Sequence, residues 1–141
     1  MSDQNEKLGD ELAASGNKIA EHYNNKNKGD LHSRAQSRIF YMRNFNNWIK
    51  SVLINEFVKK LNRPNDLSVL DLGCGRGGDM RKWVKARGLK HVTFADLAEK
   101  SLEECRSRYD EMRPRFEARF IQLDATRDLL IEKLGSFSII D

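Results

Sequence analysis

Leu67-Ser68-Val69-Leu70-Asp71-Leu72-Gly73-Cys74-Gly75-Arg76-Gly77-Gly78-Asp79-Met80-Arg81-Lys82-Trp83-Val84-Lys85-Ala86-Arg87-Gly88 changes character twice within 22 residues. The short apolar run suits a strand, the glycine cluster a tight turn, and Asp79 to Arg87 a helix closed by the glycine that follows. Gly73, Gly75 and Gly78 have the G-x-G-x-x-G spacing between that strand and that helix. In such a motif the first glycine permits the turn, the second lets backbone approach a ligand, and the third allows close helix–strand packing. Amides at the start of the helix favour polar or anionic ligand groups. An ordinary turn uses the same residue type, so the spacing by itself leaves both readings open.

Downstream the same rhythm repeats. His91 to Ala95 reads as a second strand ending in Asp96, followed by a helix from about Ala98 to Met112 that stops before Pro114. Arg119 to Leu123 reads as a third strand ending in Asp124, then a helix near 126–134, and Phe137 to Asp141 opens a fourth strand. Strands alternating with helices pair in parallel through right-handed crossovers, so the expected fold is a doubly wound α/β sheet. Ser68 to Asp141 is 74 residues, room for three βα units, whereas an open nucleotide-binding sheet carries about six strands. The first half of such a sheet is expected here, the rest coming from further sequence or another chain.

Upstream, Phe45, Trp48, Ile49, Val52, Leu53 and Phe57 recur at three- and four-residue steps. That predicts one long amphipathic helix over 36–62, halting before Pro64. Arg43, Asn46, Asn47 and Lys50 lie nearly opposite the apolar stripe and form one polar face, whose default reading is a solvated surface. Residues 1–30 hold few large apolar groups and are expected to be a flexible arm, leaving 31–141 as the N-terminal part of a single domain.

The chain has 141 residues, 39% apolar and 33% charged, with two prolines and nine glycines, which is the composition of an ordinary α-containing globule. No stretch approaches about 18 uncharged apolar residues, so no membrane helix is expected. The first residues lack the basic-then-apolar build of a secretory signal, and a reducing compartment is expected. Cys74 and Cys105 fit neither a disulfide framework nor a zinc site and read as unpaired thiols. His22, His32 and His91 read as surface or structural residues. Residues 76–119 hold twelve basic and eight acidic groups against 25 and 21 in the whole chain, so the net positive charge lies in that window, as a solvated helical surface or as an invitation to a polyanion.

Three acids end three successive strands: Asp71 beside the loop, Asp96 placed 23 positions after Gly73, and Asp124. At these points a carboxylate can accept from ribose hydroxyls or from an adenine amino group, or can cap the next helix. Dinucleotide folds usually carry an apolar residue where Asp71 stands. A carboxylate there suits a ligand with a cationic amino-acid end, by orienting loop amides and offsetting positive charge.

Val69 to Gly75 thus resembles the first motif of class I S-adenosylmethionine-dependent methyltransferases. The helix narrows the likeness. Arg38 to Ile54, containing Phe45-Asn46-Asn47-Trp48, together with Val69 to Asp79, resembles the eukaryotic mRNA cap guanine-N7 methyltransferases, as do His22-Tyr23-Asn24 and Cys105 to Tyr109. The likeness covers roughly residues 19–141.

That resemblance implies the Rossmann-like sheet of class I methyltransferases with only its first three to four strands, and S-adenosylmethionine as cofactor. It implies that Lys50 reaches the cofactor's carboxylate, Gly73 lies under its methionine part, Asp96 holds the ribose, and Asp124 with Ala125 flanks the adenine. Asn46 and Asn47 match positions that touch the cap, and Arg76, Lys82 and Arg108 match the basic path of cap and phosphates. Arg76 stands where the family pattern has lysine, keeping the charge with different donor geometry. The implied partners are capped RNA (a GpppN 5′ end) and other proteins of the capping apparatus, with no membrane and no metal, and the implied location is the nucleus. No catalytic side chain is implied, and the 141 residues alone are expected to be inactive. Other readings carried forward are a methyltransferase of another substrate class, a non-catalytic RNA- or cofactor-binding module, and an NAD-dependent oxidoreductase.

Overall fold

The computed structural model describes residues 14–22, 39–63, 65–128 and 132–133. In chain order these form α1 (Phe40–Leu61), β1 (Leu67–Leu72), α2 (Met80–Lys85), β2 (Leu89–Asp96), α3 (Glu99–Met112) and β3 (Glu117–Gln122). The three strands make one parallel sheet in the order β1-β2-β3. Val69 lies opposite Val92, and Val92 opposite Ala118. The α/β alternation expected from the sequence is therefore present, and its strand and helix ends agree with the expected ones to within a few residues. The expected fourth strand, and all but two residues of the last helix beyond its opening turn, lie outside the described residues. Within the expected flexible arm, residues 14–22 are helical and the remainder lies outside the described residues.

β2 is the central strand, and Val92, Thr93, Phe94 and Ala95 are buried in succession. A strand covered on both faces shows a continuous apolar run rather than alternation. Phe94 stacks on Phe120 of β3 with ring centroids 5.4 Å apart. Tyr109 of α3 meets Phe120 edge-on at 5.8 Å and donates its hydroxyl to the Phe116 carbonyl at 2.7 Å. Met80 of α2 and Leu102 and Cys105 of α3 complete this core with Cys74 of the loop. Both short helices are thus pinned against the loop that joins β1 to α2. His91 lies opposite Glu117 across the strand pair and contacts it at 3.2 Å, in the surface role read for it.

α1 differs from expectation. The helix forms, but its stripe of Phe45, Trp48, Val52, Leu53 and Phe57 is exposed, and none of its residues is buried. Its firmest contact with another element is α2, reached through the polar face. Periodicity identifies which side chains share a helix face, not which face meets a neighbour. Here the Lys50–Asp79 ion pair and the hydrogen bond from Lys82 to Asn47, described below, choose the polar side.

The glycine loop also corrects one role. Gly78 is the glycine expected to allow close packing, yet a Cβ added there meets nothing within 4 Å. Gly77 has that role: it is buried at φ 71°, and a Cβ on it would stand 2.9 Å from the Cys105 sulfur. Gly77→Ala is therefore expected to destabilise the chain by about 2–4 kcal/mol, combining the left-handed penalty with overpacking. Gly78→Ala should change stability by less than about 0.5 kcal/mol, as an unobstructed surface substitution does. Urea unfolding followed by circular dichroism separates the two, and equal midpoints would contradict the assignment.

Candidate functional site

The carboxyl ends of the three strands are laced together by hydrogen bonds. Gly73 and Cys74 donate their amides to the Ala95 carbonyl of β2 at 2.8 and 3.1 Å. Leu123, just past β3, donates to the Asp96 carbonyl at 3.0 Å. The Asp96 carboxylate accepts from the Gly75 amide at 2.7 Å with one oxygen and from the Ala98 amide at 2.9 Å with the other. One side chain thereby holds the loop after β1 and starts α3. Gly73, Gly75 and Gly77 all take positive φ, at 71°, 52° and 71°, angles glycine reaches without steric penalty.

Asp124 follows Leu123 at the same end. One of its oxygens accepts the Thr126 amide at 3.0 Å and the Thr126 hydroxyl at 2.6 Å, and its own amide donates to Asp128 at 2.9 Å. Gly16 of the N-terminal helical segment comes so near the other oxygen that an added Cβ would lie 3.3 Å from it. Both strand-end acids therefore hold turn amides two residues on, and neither makes a side-chain cap on a described helix: α3 begins after Ala98 without one, and the residues after Asp124 form a turn. Ala125 is exposed in the turn beside Asp124.

Asp71 departs from its expected part. The sequence suggests that it orients loop amides, but it accepts the Trp83 indole N–H at 2.8 Å. Asp96 holds the loop amide instead, because its oxygens face Gly75 across the gap between β1 and β2. Asp71 therefore ties α2 to the strand that precedes the loop. Burial pushes its carboxyl above the ordinary value of 3.8, against the lowering effect of the Trp83 hydrogen bond.

The residue that sequence reasoning missed is Asp79. It occupies the position preceding α2 without making a side-chain cap. One oxygen accepts from Lys50 of α1 at 2.7 Å and the other from Lys82 of α2 at 2.5 Å. Lys82 also donates to the Asn47 side-chain oxygen at 3.1 Å. Burial alone would raise the Asp79 carboxyl, but hydrogen bonds and charge from the two lysines outweigh it and hold the group below its ordinary range. In the sequence Asp79 is only the opening residue of a helix, and no local signal shows that lysines from two helices meet on it.

Lys50, Asn47, Lys82 and Asp79 are thus brought together at the α1–α2 junction. Asn46 is exposed on the same helix. Arg76 and Arg108 are engaged with the α3 side of the loop: Arg76 pairs with Glu104 at 3.4 Å, and Arg108 reaches the Gly77 carbonyl at 3.5 Å. Cys74 and Cys105 are both buried free thiols, in agreement with the sequence. A mutual hydrogen bond and burial push the Cys74 thiol upward, which makes it a packing group rather than a nucleophile.

A parallel sheet with a glycine turn after its first strand, and acids at the ends of the next two, is an architecture that class I methyltransferases share with other nucleotide-binding α/β folds. The magnesium protoporphyrin IX methyltransferase of Synechocystis PCC 6803, solved with bound SAM, has this fold: it overlays with a TM-score of 0.59 at 17% identity, covering 81% of this chain and 56% of that one. The mRNA (guanine-N(7))-methyltransferase domain family matches residues 6–139, and this chain belongs to that family. The mRNA cap guanine-N(7) methyltransferase of Caenorhabditis briggsae is 45% identical over 122 residues, covering 82% of this chain and 32% of the relative. That of Drosophila melanogaster is 42% identical over 134 residues, covering 86% and 31%. The chain spans about a third of the length of these curated relatives.

Asp71→Asn tests the electrostatics of the site, since the amide oxygen retains the Trp83 bond and removes the charge. A raised native carboxyl lowers stability at every pH above its folded value, and that penalty fades as pH falls below the unfolded value of about 3.9. Asp71→Asn should therefore unfold at higher urea than the parent chain at pH 7, and the two midpoints should converge below about pH 4. A gap that is constant with pH would exclude this account.

Proposed function

We propose that this chain forms the cofactor-binding part of an mRNA cap (guanine-N7) methyltransferase that takes S-adenosylmethionine and a capped RNA 5′ end. The observation that carries the reading is the Asp79 bridge, in a chain of this family. It joins Lys50, matched to the cofactor's carboxylate, to Lys82 and Asn47, matched to the cap. The cofactor suits the residues present. Cβ atoms added at Gly73 or Gly75 meet nothing within 4 Å, so the outer side of the loop is open to a ligand at backbone distance. Lys50 supplies a cation, and Asp96 and Asp124 retain lone pairs for polar hydrogens.

Bound there, S-adenosylmethionine supplies a methyl on a cationic sulfur, ready for in-line displacement by a group bearing a lone pair. Guanine N7 is such a group and carries no proton, so this chain need provide neither a general base nor a nucleophile. Its residues orient: Lys50 and Gly73 the methionine end, Asp96 the ribose, Asp124 and Ala125 the adenine, Asn46 and Asn47 the guanine. Alignment of this kind contributes up to ~7–11 kcal/mol in well-oriented systems. Arg76, Lys82 and Arg108 stabilise the cap phosphates, whose charge favours the cation forming on guanine. A nuclear location and association with other capping proteins follow the same family reading.

Calorimetry of the chain with S-adenosylmethionine should show binding that weakens about tenfold in Lys50→Ala, equivalent to ~1.4 kcal/mol. Preference for NAD would overturn the cofactor assignment. In its full-length context, the Asn46→Ala/Asn47→Ala pair should lose transfer of labelled methyl to GpppRNA while retaining cofactor affinity. Untouched transfer would point to a different methyl acceptor. Asp79→Asn, which leaves a single acceptor for two lysines, should weaken cofactor and cap binding together, whereas Lys50→Ala should weaken mainly the first.

A further inference from the structure

At the other end of the sheet, where the strands begin, a cavity of about 1090 Å³ opens between the carboxyl ends of α1, α2 and α3. Its walls carry Lys59, Arg63, Lys85, Arg87, Arg113 and Arg115, and no acidic residue. Lys59 pairs with Glu56 at 3.6 Å, and the nearby Asp66 is taken by Lys90 at 3.6 Å. Among the described residues no ion pair reaches the other five cations. By contrast, Arg76 and Lys82, on the cofactor side, are matched to Glu104 and Asp79. Four of the twelve cations in the basic window, joined by Arg63 and Lys59 from outside it, are thus gathered uncompensated or nearly so in one groove. Helix carboxyl ends attract cations at their last turns, which accounts for Lys59 and Lys85. The four arginines stand beyond those turns.

We propose that this groove holds the backbone phosphates of single-stranded RNA downstream of the capped end, an inference that rests on the function proposed above. Guanidinium groups suit phosphate because their planar forks donate two hydrogen bonds at once, and uncompensated cations gain the most from counterion release. α1 connects the two regions. Asn47 and Lys50 sit at the cofactor end, while Asn55 and Val58, with Asn62 just past the helix, line the groove, and at 100° per residue the four helical positions fall on one side of the helix. From Asn47 to Asn62 is 15 residues, or about 22 Å along the axis. A stacked strand advances ~3.4 Å per phosphate, so the groove meets a transcript about six nucleotides after its cap, sooner if the strand is extended. That continuity along one helix favours the nucleic acid over an acidic protein segment.

Fluorescence anisotropy on the 141-residue chain tests this with three probes: the cap dinucleotide GpppA, a capped RNA of roughly 15 nucleotides, and the same RNA uncapped. The longer RNAs should bind at least about tenfold more tightly than the dinucleotide. Arg87→Ala/Arg113→Ala/Arg115→Ala should abolish that gain and leave dinucleotide affinity unchanged. The slope of log affinity against log salt should shrink by about 0.7 for each phosphate that the variant no longer neutralises. Circular dichroism verifies that the exposed substitutions leave the fold intact. Affinity independent of RNA length, or a length gain that survives the triple substitution, would overturn the proposal. So would polyglutamate that binds the groove where uncapped RNA does not, the result expected of an acidic protein partner. Should the chain fail to bind the cap dinucleotide while uncapped RNA still binds through the three arginines, the cap reading fails and the groove stands.

Discussion

The Asp96 carboxylate bridges the Gly75 amide after β1 and the Ala98 amide at the head of α3. The rest of the site depends on that bridge. Left to itself, a glycine-rich turn has many conformations, and its freedom opposes order. Two hydrogen bonds to one side chain, with the Ala95 carbonyl accepting Gly73 and Cys74, select one of them. Charge-assisted bonds of this kind are stronger than neutral ones. The loop is also set against α3 from below, where Gly77 leaves room for Cys105 and nothing larger. These bonds and this packing hold the loop in one arrangement without calling on a ligand, which lowers the ordering that binding has to supply.

A second constraint joins this cradle to α1. The helix contributes nothing to the core, so its position relies on Asp79 gripping Lys50 and Lys82, and on Lys82 reaching Asn47. The Lys50 side chain is 56% exposed, and exposed ion pairs contribute little to stability. What the bridge supplies is geometry. Residues matched to cofactor and to cap share one carboxylate, so a displacement of Asp79 is felt at both. Trp83 on Asp71 acts in the same direction by fastening α2 to β1.

Much of this was legible in the sequence, for identifiable reasons. Short apolar runs ended by Gly73, Asp96 and Asp124 announced strands feeding one crevice, and the helix carrying Phe45-Asn46-Asn47-Trp48 announced the family. Other features were hidden because they depend on which residues meet across the fold. Gly77 and Gly78 are indistinguishable until Cys105 is placed beneath one of them. Asp79 reads only as the first residue of a helix until Lys50 arrives from 29 positions away. Asp71 reads as a loop anchor until the Trp83 indole claims it.

The basic groove illustrates the same division at longer range. Lys85, Arg87, Arg113 and Arg115 belong to a window whose surplus could be counted, but Arg63 and Lys59 lie outside it, and only packing of three helix ends draws the six together. The sequence by itself determined the alternation of strands and helices, the glycine turn and the residue types at the strand ends, since hydrophobic period and backbone freedom are local properties. Tertiary structure alone decided which face of α1 meets α2, which glycine admits α3, and which carboxylate holds which partner. Those outcomes come from competition among distant groups for the same few ångströms, and no local pattern records who wins.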